Sequence, residues 1–407
     1  MASDLRKHQP ADRRPVLVLD ANQRSALAAV RSLGRSGVRV HAADCTPHGL
    51  AGASRYCAGY TRIPDPALEP DRFGEAVLAV CRSLGEPLVL PATDASWTAL
   101  FSNGMVCRSL ELIGPAFDAY EALTDKARLV ELALGNDVPV PRTIVATNPK
   151  ALTEAVGRIG LPCVIKPSRS RLLAQGRIVA SPVVTIRSPE ELSSYVVRWP
   201  YPGPCLVQQF VPGHGAGIFT LFHDGPPIAW FAHRRLREKP PAGGVSVLSE
   251  SVAVDPQMRE YAERLLRAAR WSGVAMVEFR VDPDGRPWLM EVNARLWGSL
   301  QLAVDCGVDF PLLAYRSQLG EALPSTGDYP TGRRLRWLLG DFDRLLLQLR
   351  GKGTAESLPQ RLMEIGRFIA TRPTRTDYDT WDMRDPDPFR YELAAWFRAL
   401  GAKREKA

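Results

Sequence analysis

The sequence predicts an α/β protein. A doubly wound parallel sheet covers residues 1–115, mixed strands and helices follow to 325, and a helical extension fills 326–407. Two patterns predict this. Apolar runs at 15–20, 38–43 and 88–90 are separated by helical spacing at 25–33 and 72–84, which is the βαβ pattern. In the tail Leu335, Leu338, Leu339, Phe342, Leu345, Leu346 and Leu349 recur at helical spacing.

A fourth parallel strand is expected at 111–114. The segment between the first strand and its helix, Asp20-Ala-Asn-Gln-Arg-Ser25, has no glycine, which excludes the G-x-G-x-x-G turn of a dinucleotide site. Ligands of such sheets sit at the carboxyl ends of the strands, so Asp20, Asn22 and Asp94 are candidates to touch a small substrate or to cap helices. Beyond 116 the pattern gives one helix at 118–135, a helix at 149–160, strands at 162–167 and 205–211, and a strand-rich stretch to 320 with a helix at 257–271. The 407 residues carry a formal charge of +8. Thr331 to Ala407 hold 16 basic and 11 acidic side chains, so the excess is a feature of the tail and argues against nucleic-acid binding. Seven cysteines without a C-x-x-C pair indicate neither a disulfide framework nor a zinc site. No apolar run approaches the ~20 residues of a membrane span, and the expected location is cytoplasmic.

The chemistry concentrates in 274–295. Two strand-like runs flank Asp282-Pro-Asp-Gly285, a hairpin signal. With Val281 facing Arg286, Met276 faces Glu291 and Val274 faces Asn293, leaving Glu278 diagonal to Glu291 on the same face. Buried carboxylates need partners, and magnesium takes one or two carboxylates plus substrate phosphates. This arrangement resembles the metal hairpin of the ATP-grasp superfamily, an acid on one strand and E-x-N on the next. Glu278, Glu291 and Asn293 match it as metal ligands, and Arg295 matches a position that contacts phosphate or substrate in the biotin carboxylase and carbamoyl phosphate synthetase branches.

The resemblance implies an ATP-grasp fold with a lid subdomain at 116–204 and a metal-hairpin subdomain at 205–325. It also assigns nucleotide-binding residues. The chain has only eight lysines, and Lys166, inside an apolar strand, matches a contact to the α- and β-phosphates, while Lys126 matches the first nucleotide lysine. Gln208, Gln209, Phe210 and Val211 match the hinge strand that holds adenine, and His214 stands where an acid usually binds ribose. The loop 168–176 departs from the family pattern, with one glycine and two arginines in place of a glycine-rich phosphate loop. A cationic run from His233, containing Arg234, Arg235 and Arg237, suits clamping of a γ-phosphate and a substrate carboxylate.

The closest resemblance is to predicted carboxylate-amine ligases, the group that includes D-aspartate ligase. It implies ATP with Mg²⁺, or Mn²⁺ as an alternative, and small-molecule carboxylate and amine substrates. Alternatives are a small-molecule kinase, an ATP-binding regulator, or acyl transfer to a thiol or hydroxyl. A homodimer is left open. The tail helix is expected to pack on the protein core or across a dimer interface rather than on a membrane, because Asp341 and Asp343 interrupt its basic face.

Overall fold

The computed structural model describes residues 13–180, 182–199, 203–241, 243–323, 327–351, 357–371 and 375–404. Arg6, Lys7, Lys352 and Lys406 lie outside them.

The first sheet is parallel, with β1 (Val16–Val18), β2 (Val40–Asp44), β3 (Gly59–Arg62) and β4 (Leu88–Leu90) in the order β3-β2-β1-β4. Three of these strands follow the apolar runs. β3 is an addition, and 111–114 contributes only an isolated parallel bridge from Leu112 to Val89.

The second sheet is antiparallel. It contains β5 (Thr143–Ala146), β6 (Cys163–Pro167), β9 (Val184–Ile186) and β10 (Cys205–Gln209) in the order β5-β10-β6-β9. Between β6 and β9 the chain forms a separate hairpin of β7 (Arg171–Ala174) and β8 (Arg177–Ala180). Ile178 of β8 is buried in the apolar cluster of the first sheet, beside Phe73 and Leu100. That contact anchors the hairpin across the cleft between the sheets.

The third sheet has β11 (His214–Phe222), β12 (Pro227–Lys239), β13 (Val245–Val252), β14 (Gly273–Val281), β15 (Pro287–Asn293), β16 (Arg334–Arg336) and β17 (Thr376–Tyr378), in the order β15-β14-β11-β12-β13-β16-β17. Its last two strands come from the extension, which is therefore helical with two short strands added to the sheet edge. The first and third sheets share one core: Leu27 and Val40 join Leu302, Phe310 and Leu313, and through them Phe219 and Phe231. The extension then closes onto the first sheet. Fully buried Arg31 donates to Asp385 Oδ2 at 2.9 Å and to the carbonyls of Asp379 and Thr380. The tail helix runs Leu338–Leu349 and packs on β12 and β13 with Leu339 and Leu345 buried, as its spacing predicts, but Leu335, expected in the same helix, lies in β16.

Candidate functional site

The hairpin β14–β15 forms with a register different from the one the turn suggests. Val281 pairs with Pro287 and Phe279 with Leu289; Met290 is then left out as a bulge, and Glu278 pairs directly with Glu291 and Met276 with Asn293. The diagonal arrangement expected from a regular ladder is thus corrected to a face-to-face carboxylate pair. Asn293 Nδ2 donates to Glu278 Oε1 at 3.0 Å and to Glu291 Oε1 at 3.3 Å. Burial, and then the neighbouring Glu291, push the Glu278 carboxyl above its ordinary range. A bulge leaves its extra residue out of the ladder. Here the freed carbonyl of Met290 accepts a hydrogen bond from Lys166 Nζ at 3.2 Å.

Lys166 comes from β6 of the second sheet and is almost fully buried. Burial, reinforced by Lys126, pulls its ammonium pKa down to about 8. Lys126 is placed by a break in what the sequence suggests is one helix. The chain runs as Phe117–Thr124 and Lys126–Leu134, with Asp125 between them accepting from the backbone of Ala127 at 3.0 Å. Asp125 also accepts from Ser168 Oγ at 2.7 Å, and the Ser168 carbonyl accepts from the Lys126 backbone N–H at 2.8 Å. Lys126 is therefore not a surface helix residue: 4% of it is exposed, and its Nζ lies 2.7 Å from Ser170 Oγ and 3.6 Å from Glu291.

The basic run in β12 does not act as one cluster. A register shift at Leu236 sends its members different ways. Arg235 reaches the site, donating to Glu278 Oε2 at 3.2 Å. Arg234 is largely exposed and pairs with Glu250 at 2.8 Å, while Arg237 turns to the extension and meets Asp341 at 2.5 Å and the Arg367 carbonyl at 2.7 Å. His233 is buried against Ser299 Oγ, and burial followed by Arg235 lowers its pKa to about 3, so it carries no charge.

Arg295 sits at the site with all its polar edges engaged. It donates to Asp94 Oδ2 at 2.7 Å, to Asn293 Oδ1 at 3.3 Å and to the Leu296 carbonyl. Of the three candidates at the strand ends, Asp94 alone reaches the site, through Arg295. Asp20 is buried and holds Ser96 Oγ and the Ala92 N–H, and Asn22 accepts from Leu50.

The hinge segment lies along β10. Gln208 is buried and donates to Thr143 Oγ1 at 2.9 Å; Gln209 Oε1 accepts from Arg142 at 3.4 Å. Phe210 and Val211 follow, the Val211 carbonyl accepting from Arg280 Nε at 3.1 Å, and exposed His214 opens β11. Gly213 bends this connection with φ of 122°, and a Cβ there would stand 1.9 Å from the Val281 carbonyl, so only glycine lets the connection pass that close to the β14–β15 hairpin.

A cavity of about 280 Å³ adjoins the cluster. Lys126, Glu291 and Asn293 line one end. Phe101, Phe117 and Tyr120 line another, and Arg169 to Leu173 cover it. Arg169 forks Glu121 at 2.6 and 2.5 Å and reaches Asp125 at 3.2 Å. Sequence reasoning missed this cavity. Its one available signal was the pair of arginines in a loop expected to be glycine-rich.

Two facing sheets that bring Lys126 and Lys166 against an acidic hairpin define the class of fold: it is that of ATP-grasp proteins. Residues 203–339 match the family described as "ATP-grasp in the biosynthetic pathway with Ter operon". A D-alanine–D-alanine ligase of Gloeobacter violaceus is 25% identical over 284 residues, 60% of this chain and 91% of that one. N5-carboxyaminoimidazole synthetase from Staphylococcus aureus shares the fold with a TM-score of 0.62 at 13% identity, over 83% of this chain and 85% of that one. The L-amino acid ligase from Bacillus licheniformis does so with 0.59 at 18%, over 79% of each.

Proposed function

We propose that the protein is an ATP-dependent ligase that activates a small-molecule carboxylate as an acyl phosphate and joins it to an amine, releasing ADP and phosphate. The observation that carries this reading is the Glu278–Glu291 pair with Asn293 on one face, met by Lys166 and Lys126 from the opposing elements. The donor set fits Mg²⁺. Two half-buried carboxylates face each other and one has a raised pKa, which calls for a cation between them. Among the described residues no third acidic, histidine or cysteine side chain joins them, so phosphate oxygens would complete the shell, as is usual for this ion. The ion, when bound, supplies charge neutralisation at the phosphoryl oxygens.

The chain's own residues do the positioning. Lys166, fixed by the Met290 carbonyl, and Lys126, fixed by Ser170, hold the phosphates. The backbone of Gln209 to Val211 takes adenine, with Gln208 buttressing the strand from behind and His214 at the ribose edge. Arg235 and Arg295 stand where charge develops between phosphate and carboxylate, oriented by Glu278 and Asp94, and such pre-set groups lower the barrier without covalent participation. Arg234 and Arg237 are best read as braces of the sheet and extension. In this reading residues 1–115 and 205–325 frame the substrate site, 116–204 is the lid, and 326–407 is a clasp. No helix among the described residues is long and apolar enough to cross a membrane, and we place the reaction in the cytoplasm, where ATP is available.

The test is ADP release from MgATP over a panel of carboxylate and amine pairs, with hydroxylamine present to trap acyl phosphate. Hydroxamate formation supports the ligase. ADP with a stable phosphorylated product would mean a kinase, and capture by a thiol or hydroxyl in place of the amine would correct the acceptor.

A further inference from the structure

We propose that the cavity beside the metal face holds the body of the carboxylate substrate, and that this substrate bears an aryl or similarly flat apolar group. The inference rests on the ligase reading for where the reacting carboxylate must lie.

The cavity has two unlike ends. Lys126, Glu291 and Asn293 form the end where phosphoryl transfer takes place in that reading. The other end is aromatic. Phe101 stands edge-on to Phe117 with ring centroids 5.4 Å apart and lies 5.0 Å from Tyr120, while Leu172 and Leu173 close over them from β7. A triphosphate has no use for such a wall, because its oxygens need donors. The hinge residues 205–211 do not line this cavity, so adenine is not its occupant.

Three further observations narrow the ligand. Phe117 and Leu173 are left 48% and 46% exposed, apolar surface that a ligand would cover. All three acids lining the cavity already face cations, Asp94 the guanidinium of Arg295, Glu121 that of Arg169 and Glu291 the ammonium of Lys126, so the wall offers no invitation to a cationic body. The volume of about 280 Å³ lies just below the ~300–1,000 Å³ usual for small-molecule sites. It suits one ring with a short arm, its carboxylate directed at Lys126.

The experiment uses the full chain with MgATP and hydroxylamine. Phenylacetate, 3-phenylpropionate and L-phenylalanine are compared with acetate, glycine and L-aspartate, in the wild type, Phe117→Ala and Ser102→Trp. Both replaced side chains are exposed at the cavity rim, so the fold tolerates either change. Aryl acids should exceed small acids in kcat/KM by about 10-fold or more, the discrimination an apolar pocket typically gives. Phe117→Ala should raise the KM for aryl acids about 10-fold with little change in kcat, and Ser102→Trp should block them. Equal use of both acid classes by the wild type, or aryl kcat/KM untouched by both variants, would overturn the proposal. Binding of phenylacetate to the nucleotide-free protein, followed by saturation-transfer NMR, separates this claim from the ligase reading. If no acid elicits ADP, binding that Phe117→Ala weakens and Ser102→Trp abolishes still supports the cavity assignment, and absence of binding, or binding that neither variant alters, overturns it.

Discussion

Replacing Lys166 with methionine should stabilise the protein and cripple nucleotide binding at once. The Lys166 ammonium is held at about 8 from an ordinary 10.5, chiefly by burial. At 1.36 kcal/mol per unit, the fold bears a penalty of roughly 3 kcal/mol for keeping it charged at neutral pH. Methionine, of similar length, removes that penalty but forfeits the hydrogen bond to the Met290 carbonyl, a charged bond of about 1.5–3 kcal/mol. The net expectation is a gain of about 1 kcal/mol and a melting temperature higher by a few degrees. The sign of the pH dependence follows. A lysine with a depressed folded pKa costs stability below about 8 and ceases to cost it as pH rises toward 10.5, so the gap between variant and wild type should shrink at alkaline pH. Losing a charged contact to phosphate should weaken MgATP binding by about 10- to 100-fold, and the upward melting shift that MgATP gives the wild type should largely vanish. Thermal unfolding of both proteins with and without MgATP measures all of this. A destabilised apoprotein whose MgATP shift is intact would refute the reasoning. Lys150→Ala, on an exposed helix start, is the matched control and should change neither quantity.

Glu291→Gln and Asn293→Ala should each lower ADP formation by about 10²–10³ while leaving the circular dichroism and melting curve of the apoprotein near wild type; unchanged turnover at saturating Mg²⁺ would end the metal-hairpin assignment. Burial raises the Asp20 carboxyl to about 6 from 3.8, so its contribution to stability is full below about 4 and is lost as pH rises through 6, by roughly 3 kcal/mol. Asp20→Asn tolerates the same left-handed φ of 59° and should flatten the melting temperature between pH 4 and 7 relative to wild type. Truncation after Gly320 should give insoluble protein, because it strips β16 from the sheet and leaves Arg31 buried without Asp385, a loss of about 3–5 kcal/mol for a broken buried pair; a soluble, active truncation would show the clasp to be dispensable.

What the sequence disclosed was what is local and apolar. β1, β2 and β4 are fully or mostly buried runs, and the composition of 15–20, 38–43 and 88–90 suffices to find them. β3, Gly-Tyr-Thr-Arg, is half exposed and polar at its end, while β16 and β17 are three residues each and held by partners far away in sequence, so no period announces them. The hairpin residues Glu278, Glu291 and Asn293 were legible from turn and spacing, but the bulge at Met290 was not, because it is coupled to Lys166 from another sheet. The helix break at Asp125 had a signal in Thr-Asp-Lys, a capping residue before a helix, hidden inside continuous apolar spacing. Alternation along β12 would have placed Arg235 and Arg237 on one face; the register shift at Leu236 parts them. Phe101, Phe117 and Tyr120 line the cavity from two helices, and helical spacing does not distinguish a side chain packed on a neighbour from one lining a cavity.

The central claim is that ATP phosphorylates a carboxylate. It is tested most directly with the acid selected by the ADP-release screen, prepared with ¹⁸O in its carboxyl group and turned over with MgATP and amine. An acyl phosphate loses one carboxyl oxygen to phosphate when the amine displaces it, so the account predicts one ¹⁸O in each inorganic phosphate released and an equal loss of label from the amide. Unlabelled phosphate, with both ¹⁸O atoms retained in the organic product, would contradict it.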